Sequence, residues 1–447
     1  MKPVGEMTPL DELRVFRESS LPICVVKAPP GSGKTQLLVD DVPNWVKQES
    51  PVLVTALTNE QVDQICKRLS ERNLGLQIVR FTSSGYQLRK PPPNGVHICR
   101  NKNEFPAHYD VMVATVSKLA LSNAPRTFQV MFVDEAWQIA FKELLPLTRY
   151  AHRIVMIGDA GQIPPVRTVP HLRWDTAPFR PGEAMPVPAE RLPELRGSTK
   201  TVKLKECRRL PNDSVELVQK FYPELPISAV ALPGERFLNL ANSTGSDSLD
   251  RAFMSLSESS TALITIPTDA GLGLNTDTRL ATTIAHAAER LLRQTARIND
   301  GREKDPRRGG RPLVPRDVGI SATHRAMNAT IRAALPQELL ALGLEVDTPE
   351  RWQGRERPVM LIAHPLSGIE HPGAFDLETG RLCVMSSRHQ TALLIFSRDH
   401  VPSTLGSLMP SATQSPGLPD DIGKGHHIHQ EFWKFHSDRD RVFALSE

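Results

Sequence analysis

The sequence of 447 residues lacks the features that define several large classes of protein. No apolar run approaches the roughly 20 residues that a membrane-spanning helix requires. The first residues are interrupted by acids and prolines and contain no apolar h-region, so we expect no signal peptide. These absences predict a cytoplasmic protein that has no membrane partner.

Paired cysteines and a strong net charge are also missing. The five cysteines form neither a C-x-x-C pair nor a zinc spacing, and they lie far apart at Cys24, Cys66, Cys99, Cys207 and Cys383. We expect reduced thiols, as is usual in cytoplasmic proteins. The net charge of +4 permits nucleic-acid binding but does not by itself predict it.

Short apolar runs alternate with helical patterns along the chain, which is long enough for two or three domains. The apolar runs lie at residues 23–27, 52–57, 111–114, 130–133, 154–157, 262–266, 318–321, 359–363 and 392–396, and the clearest helical patterns at 35–48 and 278–295. This alternation predicts an α/β fold with parallel sheets covered on both faces. A proline-rich connection from Pro164 to Pro193 leads us to expect one domain at residues 1–195 and a second at 196–447.

A glycine-rich loop follows the first apolar run. Residues 28–35 read A-P-P-G-S-G-K-T and match a P-loop, except that Ala28 stands where the pattern has glycine. Such a loop turns backbone N–H groups toward phosphate, and the helix that follows adds its partial positive charge. The strand–loop–helix context disfavours a loop without a ligand. The predicted nucleotide-binding residues here are Pro30, Gly31, Ser32, Gly33, Lys34, Thr35 and Gln36.

Two adjacent carboxylates stand at the end of a later apolar run, V-M-F-V-D-E-A-W-Q at residues 130–138. Together with a P-loop, Asp134 is suited to bind Mg²⁺ beside the Thr35 hydroxyl. Glu135 is suited to polarise the water that attacks the γ-phosphate. An exposed acidic strand end is the alternative interpretation. The next run ends in G-D-A-G-Q-I-P-P, where Gln162 is a candidate sensor of the γ-phosphate, unless this segment is an ordinary turn.

These two segments resemble motifs II and III of superfamily 1 helicases, in the branch that holds the nonsense-mediated-decay helicase and its compact bacterial relatives. Further segments resemble the other motifs in family order: A-L-T-N-E-Q-V-D (56–63), A-T-V-S (114–117), L-K-E-C-R-R-L-P (204–211), V-G-I-S-A-T-H-R-A-M (318–327), V-D-T-P-E-R-W-Q-G-R-E (346–356) and R-L-C-V-M-S-S-R-H-Q (381–390). Each is weak alone, but the ordered set covers residues 28 to 390.

The resemblance implies two RecA-like P-loop NTPase domains, with ATP as the substrate in the cleft between them and Mg²⁺ as the cofactor. It assigns Arg208 and Arg388 to the stabilisation of charge on the γ-phosphoryl oxygens, together with Glu135 and Gln162 as catalytic residues. Arg209, which is adjacent to Arg208, is a second candidate for the role assigned to Arg208. The alternative interpretation is that these arginines lie on the surface or form salt bridges and have no catalytic role.

The resemblance also implies binding residues outside the P-loop. Gly354 and Glu356 match nucleotide-binding positions, where the glutamate holds the ribose. Nucleic-acid backbone contacts are implied for Thr58, Asn59, Thr115 and Ser117, because short hydroxyls and amides suit phosphate contacts. Helix and turn capping is the alternative role for these side chains.

Several positions depart from the family pattern. No glutamine precedes Gln36, and Asp11 stands about where the family has its adenine-reading glutamine, so base selectivity is open. The segment at residues 204–211, which contains Arg208, has Glu206 and Cys207 where the family has Gln and Tyr. The last motif has Ser386, Ser387 and His389 in place of Leu, Thr and Ala, which weakens the assignment of Arg388.

The sequence therefore predicts an ATP-dependent helicase or translocase that moves on single-stranded or partly duplex DNA or RNA, in the 5′ to 3′ direction by resemblance. A nucleotide-gated remodelling ATPase without unwinding activity, acting on nucleic acid or on a protein partner, is the main alternative. A small-molecule phosphotransferase would leave Gln162 and Arg388 unexplained.

The histidine-rich segment at residues 426–436 suggests a metal site, because imidazoles bind zinc and copper. No carboxylate or thiolate follows at a recognisable spacing. A terminal helix or loop that packs Phe432, Trp433 and Phe435 is the favoured interpretation. Residues 401–425 are rich in Ser, Pro and Gly, and we expect a loose excursion there.

Overall fold

The computed structural model describes residues 7–47, 51–72, 74–88, 90–123, 126–166, 174, 177–240, 245, 247–268, 276–300, 310–407 and 420–445. Contacts between residues divide the chain into two compact units. The first unit comprises Met1–Ala160 and Pro164–Lys205, and the second comprises Gly161–Ile163 and Glu206–Glu447. The predicted α/β fold class with large parallel sheets is confirmed.

The first unit is built on an eight-stranded sheet in which every neighbouring pair is parallel. Its strands are β1 (Ile23–Lys27), β2 (Val52–Ala56), β3 (Ile78–Phe81), β4 (Val96–Cys99), β5 (Val111–Thr115), β6 (Phe128–Val133), β7 (Ala151–Gly158) and β8 (Thr199–Lys203). The spatial order is β4-β3-β5-β2-β6-β7-β1-β8. Strand β7 therefore separates the P-loop strand β1 from the carboxylate strand β6.

The α-helices in the described part of the first unit are α1 (Pro9–Glu18), α2 (Lys34–Val46), α3 (Asn59–Glu71), α4 (Val116–Ala120), α5 (Val187–Arg191) and α6 (Pro193–Arg196). Local chemistry sets several of their ends. Thr8 and Asp11 form a capping box at the start of α1, and Thr58 and Gln61 form another at the start of α3. Asp11 is thus occupied in a helix cap.

The second unit contains a six-stranded parallel sheet in the order β16-β15-β17-β18-β12-β19. A three-stranded antiparallel sheet has the order β11-β13-β14, and β9 pairs with β10. The strands are β9 (Glu206–Cys207), β10 (Ser228–Ala229), β11 (Phe237–Leu240), β12 (Thr261–Ile266), β13 (Ala296–Asn299), β14 (Arg311–Pro312), β15 (Val318–Ser321), β16 (Glu345–Asp347), β17 (Arg357–Ala363), β18 (His389–Arg398) and β19 (Val442–Ala444).

The helices of the second unit are α7 (Asn212–Gln219), α8 (Ser248–Ser255), α9 (Thr278–Arg293), α10 (Arg325–Ala334), α11 (Gln337–Ala341), α12 (Pro349–Trp352), α13 (Thr379–Ser386), α14 (Val401–Ser407) and α15 (Asp421–Ser437). The loose excursion expected at residues 401–425 is therefore wrong at both ends, which are helical. Its central residues lie outside the described part of the chain.

Each large sheet has an apolar layer on both faces. In β2, Val52 and Val54 face one cluster of buried residues while Leu53 faces another. In β17, Leu361 and Met360 face two different clusters in the same way. Central strands buried on both sides read as continuous apolar runs, which explains why the sequence revealed them.

The proline-rich connection and the expected domain boundary can both be compared with the structure. Residues 167–173, 175 and 176 of the proline-rich connection lie outside the described residues, and its end forms α5. Strand β8 pairs with β1, so the domain boundary expected after residue 195 falls before the last strand of the first sheet. Within the described residues, no helix is long and apolar enough to cross a membrane.

Candidate nucleotide-binding site

The predicted P-loop connects the carboxyl end of β1 to the start of α2. Gly31 and Gly33 have φ values of 71° and 85°, a left-handed conformation that glycine adopts without strain. Ala28 is not among the residues with positive φ, and its N–H donates to the Gly158 carbonyl at 2.9 Å. The first position of the loop therefore needs no glycine, and alanine fits there.

The N-terminus of α2 is left open for a ligand. Gly33 is the N-cap residue, and no side chain caps the first turn of the helix. No acidic residue lies in that turn. Unsatisfied N–H groups at a helix N-terminus, together with the helix dipole, form a ready anion site. The loop thus has the geometry that phosphate binding requires.

Two side chains of α2 contact the two predicted carboxylates. Lys34 Nζ lies 3.1 Å from Glu135 Oε1. The Thr35 hydroxyl donates a hydrogen bond to Asp134 Oδ2 at 3.2 Å. Both carboxylates are buried, with 3% of Asp134 and 7% of Glu135 exposed. Residues about a hundred positions apart therefore form one site.

The turn after β6 is strained in a way that sets the two carboxylates side by side. Glu135 has a φ of 53°, which is unusual for a residue other than glycine. Its backbone N–H donates to Asp134 Oδ1 at 3.0 Å. Strained backbone of this kind costs on the order of 1–3 kcal/mol and is concentrated at functional sites.

The side chains of the site supply less positive charge than negative charge. Burial, with a further contribution from the Glu135 carboxylate, raises the pKa of Asp134 to about 6, although Lys34 acts in the opposite direction. One ammonium faces two buried carboxylates. A divalent cation at this position would favour the ionised form of Asp134.

A buried polar atom in the loop also has no partner. Ser32 is 8% exposed, and its hydroxyl makes no hydrogen bond to any described residue. A buried hydroxyl without a partner costs free energy, so a polar ligand in the cradle would relieve that cost. Gln36, by contrast, donates to Asp40 Oδ1 at 3.0 Å on the helix surface.

The residues present fit Mg²⁺. Asp134 and Thr35 supply one carboxylate and one hydroxyl, and Mg²⁺ is usually bound through one or two carboxylates together with substrate phosphates and water. Larger metal-binding clusters are not seen: the described residues contain no group of three or more His, Cys, Asp or Glu side chains arranged to hold a metal ion.

The four predicted nucleic-acid contacts lie at the carboxyl ends of two adjacent strands, β2 and β5, where Ala56 is in register with Thr115. Thr58 and Thr115 accept backbone hydrogen bonds at the N-termini of α3 and α4. Asn59 Oδ1 accepts a bond of 2.7 Å from the buried Arg80. Ser117 is exposed. The capping role is therefore present for both threonines.

Gln162 belongs by its contacts to the second unit. It is 6% exposed, and its backbone lies so close to Gly380 that a Cβ at that glycine would be 2.7 Å from the Gln162 carbonyl. Gly161 packs equally closely on the ring of Tyr222. The role of Gln162 as a phosphate sensor stays a prediction.

In the second unit, Glu356 is the centre of a polar cluster. Arg209 Nε donates to Glu356 Oε2 at 2.6 Å, and Gln390 Nε2 donates to Oε1 at 2.7 Å. Burial raises the pKa of Glu356, but the ion pair and hydrogen bond from Arg209, with the bond from Gln390, outweigh that effect and hold the pKa below its ordinary value. We call Arg209, Glu356 and Gln390 the Glu356 cluster.

The two predicted catalytic arginines have different surroundings. The side chain of Arg208 is 70% exposed and lies 3.5 Å from Glu206. Arg388 is 2% exposed, and its Nε donates to the Val384 carbonyl at 3.2 Å. Gly354 has a φ of 76° in the exposed turn before Glu356. Arg209, which the sequence marked only as a competitor, is the arginine paired with Glu356.

The histidine-rich segment forms part of α15. Phe432 and Phe435 are buried, and Trp433 packs against the same cluster, as the favoured interpretation predicts. His429 and His436 are also buried, and burial lowers the pKa of these imidazoles to about 3 and about 4. They are neutral components of the core at neutral pH.

Some features of the site could not be found by motif matching. The unpartnered Ser32 hydroxyl has no sequence signal beyond its place in the loop. The Glu356 cluster uses Arg209 and Gln390, which the motif comparison noted only as neighbours of the expected residues.

Comparisons with known proteins support the resemblance to helicases that the sequence motifs indicated. A family model described as an AAA domain matches residues 12–168. The DNA replication ATP-dependent helicase/nuclease DNA2 of Saccharomyces cerevisiae is 26% identical over 144 residues, which are 31% of this chain and 9% of that protein. The regulator of nonsense transcripts 1 homolog of Neurospora crassa is 27% identical over 188 residues, covering 33% of this chain and 17% of that protein.

A crystal structure of the Arterivirus nonstructural protein 10 (helicase) aligns over 87% of this chain and 61% of that one, with a TM-score of 0.44 and 16% identity. The sequence matches confirm the predicted resemblance to superfamily 1 helicases. The matched segments span less than a fifth of the length of the two curated relatives named above.

Proposed function

We propose that this protein is a nucleic-acid-dependent ATP hydrolase that acts as a helicase or translocase on single-stranded or partly duplex nucleic acid. The observation that carries the proposal is the pair of contacts from Lys34 to Glu135 and from Thr35 to Asp134 at the open N-terminus of α2. The matched relatives, one of which is named as an ATP-dependent helicase/nuclease, support the helicase class.

In this proposal the loop amides and Lys34 bind the phosphates of ATP. When the Lys34 ammonium moves to the phosphates, the Glu135 carboxylate is released to accept a proton from the attacking water. Asp134 and Thr35 would hold Mg²⁺, which neutralises phosphate charge when bound. Arg208 and Arg388 stay the proposed catalytic arginines, Gln162 the proposed sensor, and Gly354 and Glu356 proposed nucleotide contacts.

The proposed nucleic-acid binding surface lies at the carboxyl ends of β2 and β5 in the first sheet, where Thr58, Asn59, Thr115 and Ser117 are found. Hydroxyl and amide groups there suit backbone phosphates, which supply affinity without sequence information. Movement from 5′ to 3′ and the compact bacterial type of this family are inferred from the resemblance. The choice between DNA and RNA is left to experiment.

A remodelling ATPase that does not unwind duplexes is the second candidate. It is favoured by the contacts of three residues of the proposed nucleic-acid binding surface, since Thr58 and Thr115 cap helices and Asn59 binds Arg80. Side chains already engaged in this way would grip a strand less strongly. Such a protein would clamp nucleic acid or a protein partner during slow hydrolysis.

The first test is ATP hydrolysis by the purified chain with and without single-stranded DNA and single-stranded RNA, with Lys34→Ala as the control. We expect one polymer to stimulate hydrolysis and the variant to lose it. Hydrolysis that is indifferent to both polymers would overturn the nucleic-acid motor. A strand-displacement assay on the stimulated enzyme then separates a helicase from the remodelling ATPase, which would release no strand.

A further inference from the structure

Three buried side chains of the second unit, His389, Ser214 and Ser260, form one chain of short hydrogen bonds that ends at the partly exposed Asp213. The His389 ring nitrogen Nε2 lies 2.6 Å from the Ser214 hydroxyl. Ser214 Oγ lies 2.5 Å from Ser260 Oγ, and Ser260 Oγ lies 2.5 Å from Asp213 Oδ1. Ser214 and His389 are 0% exposed and Ser260 is 2% exposed. We call these four residues the His389 relay.

The direction of every bond in the relay follows from its end at a carboxylate. The Ser260 hydroxyl donates to Asp213 Oδ1, which uses its single proton. Ser260 Oγ must then accept the proton of Ser214. Because the proton of Ser214 is used in this way, Ser214 accepts the bond from His389. His389 is therefore the neutral tautomer with its proton on Nε2.

Further contacts hold the two ends of the relay. Asp213 Oδ2 also accepts the Ser260 backbone N–H at 2.9 Å and Arg441 NH1 at 3.1 Å. At the other end, burial lowers the pKa of His389 to about 3, so the ring stays neutral at any pH near neutrality. A chain of hydrogen bonds between buried side chains is rigid, because each side chain fixes the orientation of the next.

The relay joins the two segments that carry arginines. His389 directly follows Arg388, whose carbonyl accepts the Arg357 N–H at 2.9 Å at the start of β18. Asp213 and Ser214 stand in the first turn of α7, just after Arg209. Arg209 also donates to the Ser387 carbonyl at 3.2 Å. A shift of either segment would move the other.

We propose that His389, Ser214 and Ser260 are positioning residues for ATP hydrolysis, which hold the segment of Arg388 and the segment of Arg208 and Arg209 in one arrangement. This inference rests on the proposed ATPase function and names residues that act through the arginines without contacting the nucleotide.

The test compares two substitutions of the histidine. Glutamine retains an N–H donor near the position of Nε2, whereas leucine removes it at similar volume. We expect His389→Leu to lower kcat about tenfold with KM changed by less than about twofold, and His389→Gln to retain kcat within about threefold. Ser214→Ala, which removes a single oxygen, should match the leucine variant and is the milder change if leucine disturbs folding.

A matched control and a double variant separate positioning from stability. Ser255→Ala also removes a partly buried hydroxyl from the second unit, one that donates to the Ala252 carbonyl within α8, and should leave kcat unchanged. Rates are expressed per folded molecule, with the melting temperature measured for each variant. The combination of His389→Leu and Ser214→Ala should cost no more than either change alone, because both break the same chain.

A second readout does not depend on activity. Nuclear magnetic resonance of chain labelled with ¹⁵N-histidine should show the His389 proton on Nε2, and a proton on Nδ1 would overturn the relay. Wild-type hydrolysis with unchanged kcat in both relay variants would overturn the positioning role alone. A wild-type chain that hydrolyses no ATP with or without nucleic acid would overturn the proposed function, and the positioning role with it.

Discussion

The P-loop site of the first unit and the Glu356 cluster of the second unit both bring carboxylates and cations together, and the pKa shifts of the carboxylates are opposite. Asp134 is buried beside Glu135 with one lysine for two carboxylates, and its pKa is raised to about 6. Glu356 is paired with Arg209 and hydrogen-bonded to Gln390, and its pKa is lowered.

The difference shows which site is complete by itself. The Glu356 cluster balances its charge with its own side chains. The P-loop site holds a net negative pair, a helix N-terminus without a side-chain cap, and a Ser32 hydroxyl that has no hydrogen-bond partner among the described residues. A bound phosphate and cation would therefore stabilise it. Sites that bind and turn over ligands are often less stable when empty.

The largest expected effect is on turnover. Glu135→Gln should lower ATP hydrolysis by about a thousandfold while ATP binding is retained, because the amide cannot accept a proton from water. Hydrolysis and nucleotide binding are measured separately. Glu71→Gln, an exposed carboxylate on α3, is the control and should behave as wild type. Normal turnover in the Glu135 variant would refute the assignment of the general base.

The two adjacent arginines should separate activity from stability. If Arg208 stabilises charge on the γ-phosphoryl oxygens, Arg208→Ala should lower turnover by at least about 100-fold. Its melting temperature should not change, because the side chain is 70% exposed.

Arg209→Ala should instead lower the free energy of unfolding by about 1 kcal/mol or less, since Glu356 is partly exposed and solvent screens the lost pair. Thermal melts and steady-state rates of both variants test this contrast. If Arg209→Ala abolishes turnover and Arg208→Ala does not, the two roles must be exchanged.

Neutralising one carboxylate in each site should change stability in opposite directions. Asp134→Asn removes a buried, incompletely paired charge and should stabilise the nucleotide-free chain by about 1–2 kcal/mol. Glu356→Gln leaves Arg209 without its counter-ion and should destabilise by about 1 kcal/mol or less. Denaturant titration in the absence of nucleotide and Mg²⁺ gives both values. A destabilised Asp134 variant would contradict the comparison.

A further prediction concerns the pH dependence of stability. The folded chain binds a proton at Asp134 more tightly than the unfolded chain, whose carboxyl has the ordinary value of 3.8. The contribution of Asp134 to stability is therefore present at low pH and is lost as the pH rises from about 4 to about 6. The affinity of the ligand-free chain for Mg²⁺ should fall in the opposite sense, as the pH drops below about 6, because a protonated Asp134 carboxyl does not bind the cation.

The measurement is the free energy of unfolding of the ligand-free chain at a series of pH values from about 4 to about 7. This range covers the loss of the Asp134 contribution. Asp134→Asn is the matched control and should lack this component. Equal pH profiles for the wild type and the variant would show that Asp134 has no raised pKa.

Much of the fold was predictable because central parallel strands are continuous apolar runs. The runs at 23–27 and 318–321 coincide with β1 and β15. Short edge strands were missed because their residues alternate or are mostly polar, as in V-H-I-C of β4 and T-K-T-V-K of β8. The first unit extends to Lys205, past the boundary expected after residue 195, because β8 pairs with β1 and nothing in its sequence marks it as a partner of that strand.

The P-loop and its two carboxylates were also predictable, because they depend on local chain chemistry. Positive φ at Gly31 and Gly33 and the turn at Asp134 follow from residue type and from the end of an apolar strand. The pairings of the Glu356 cluster and the His389 relay were not predictable. Arg209 and Gln390 are ordinary polar residues within their motifs, and Asp213, Ser214 and Ser260 lie outside every motif segment.

The sequence by itself determined the class of fold, the phosphate loop and the residues beside it. Only the tertiary structure decided that Thr35 meets Asp134 across 99 positions, that Arg209 and not Arg208 pairs with Glu356 across 147, and that a histidine beside Arg388 is bound to α7. Residue type and hydrophobic period act locally, over a turn or a strand. Pairings between distant residues depend on strand order and on which side chains are buried together, and no local pattern encodes either.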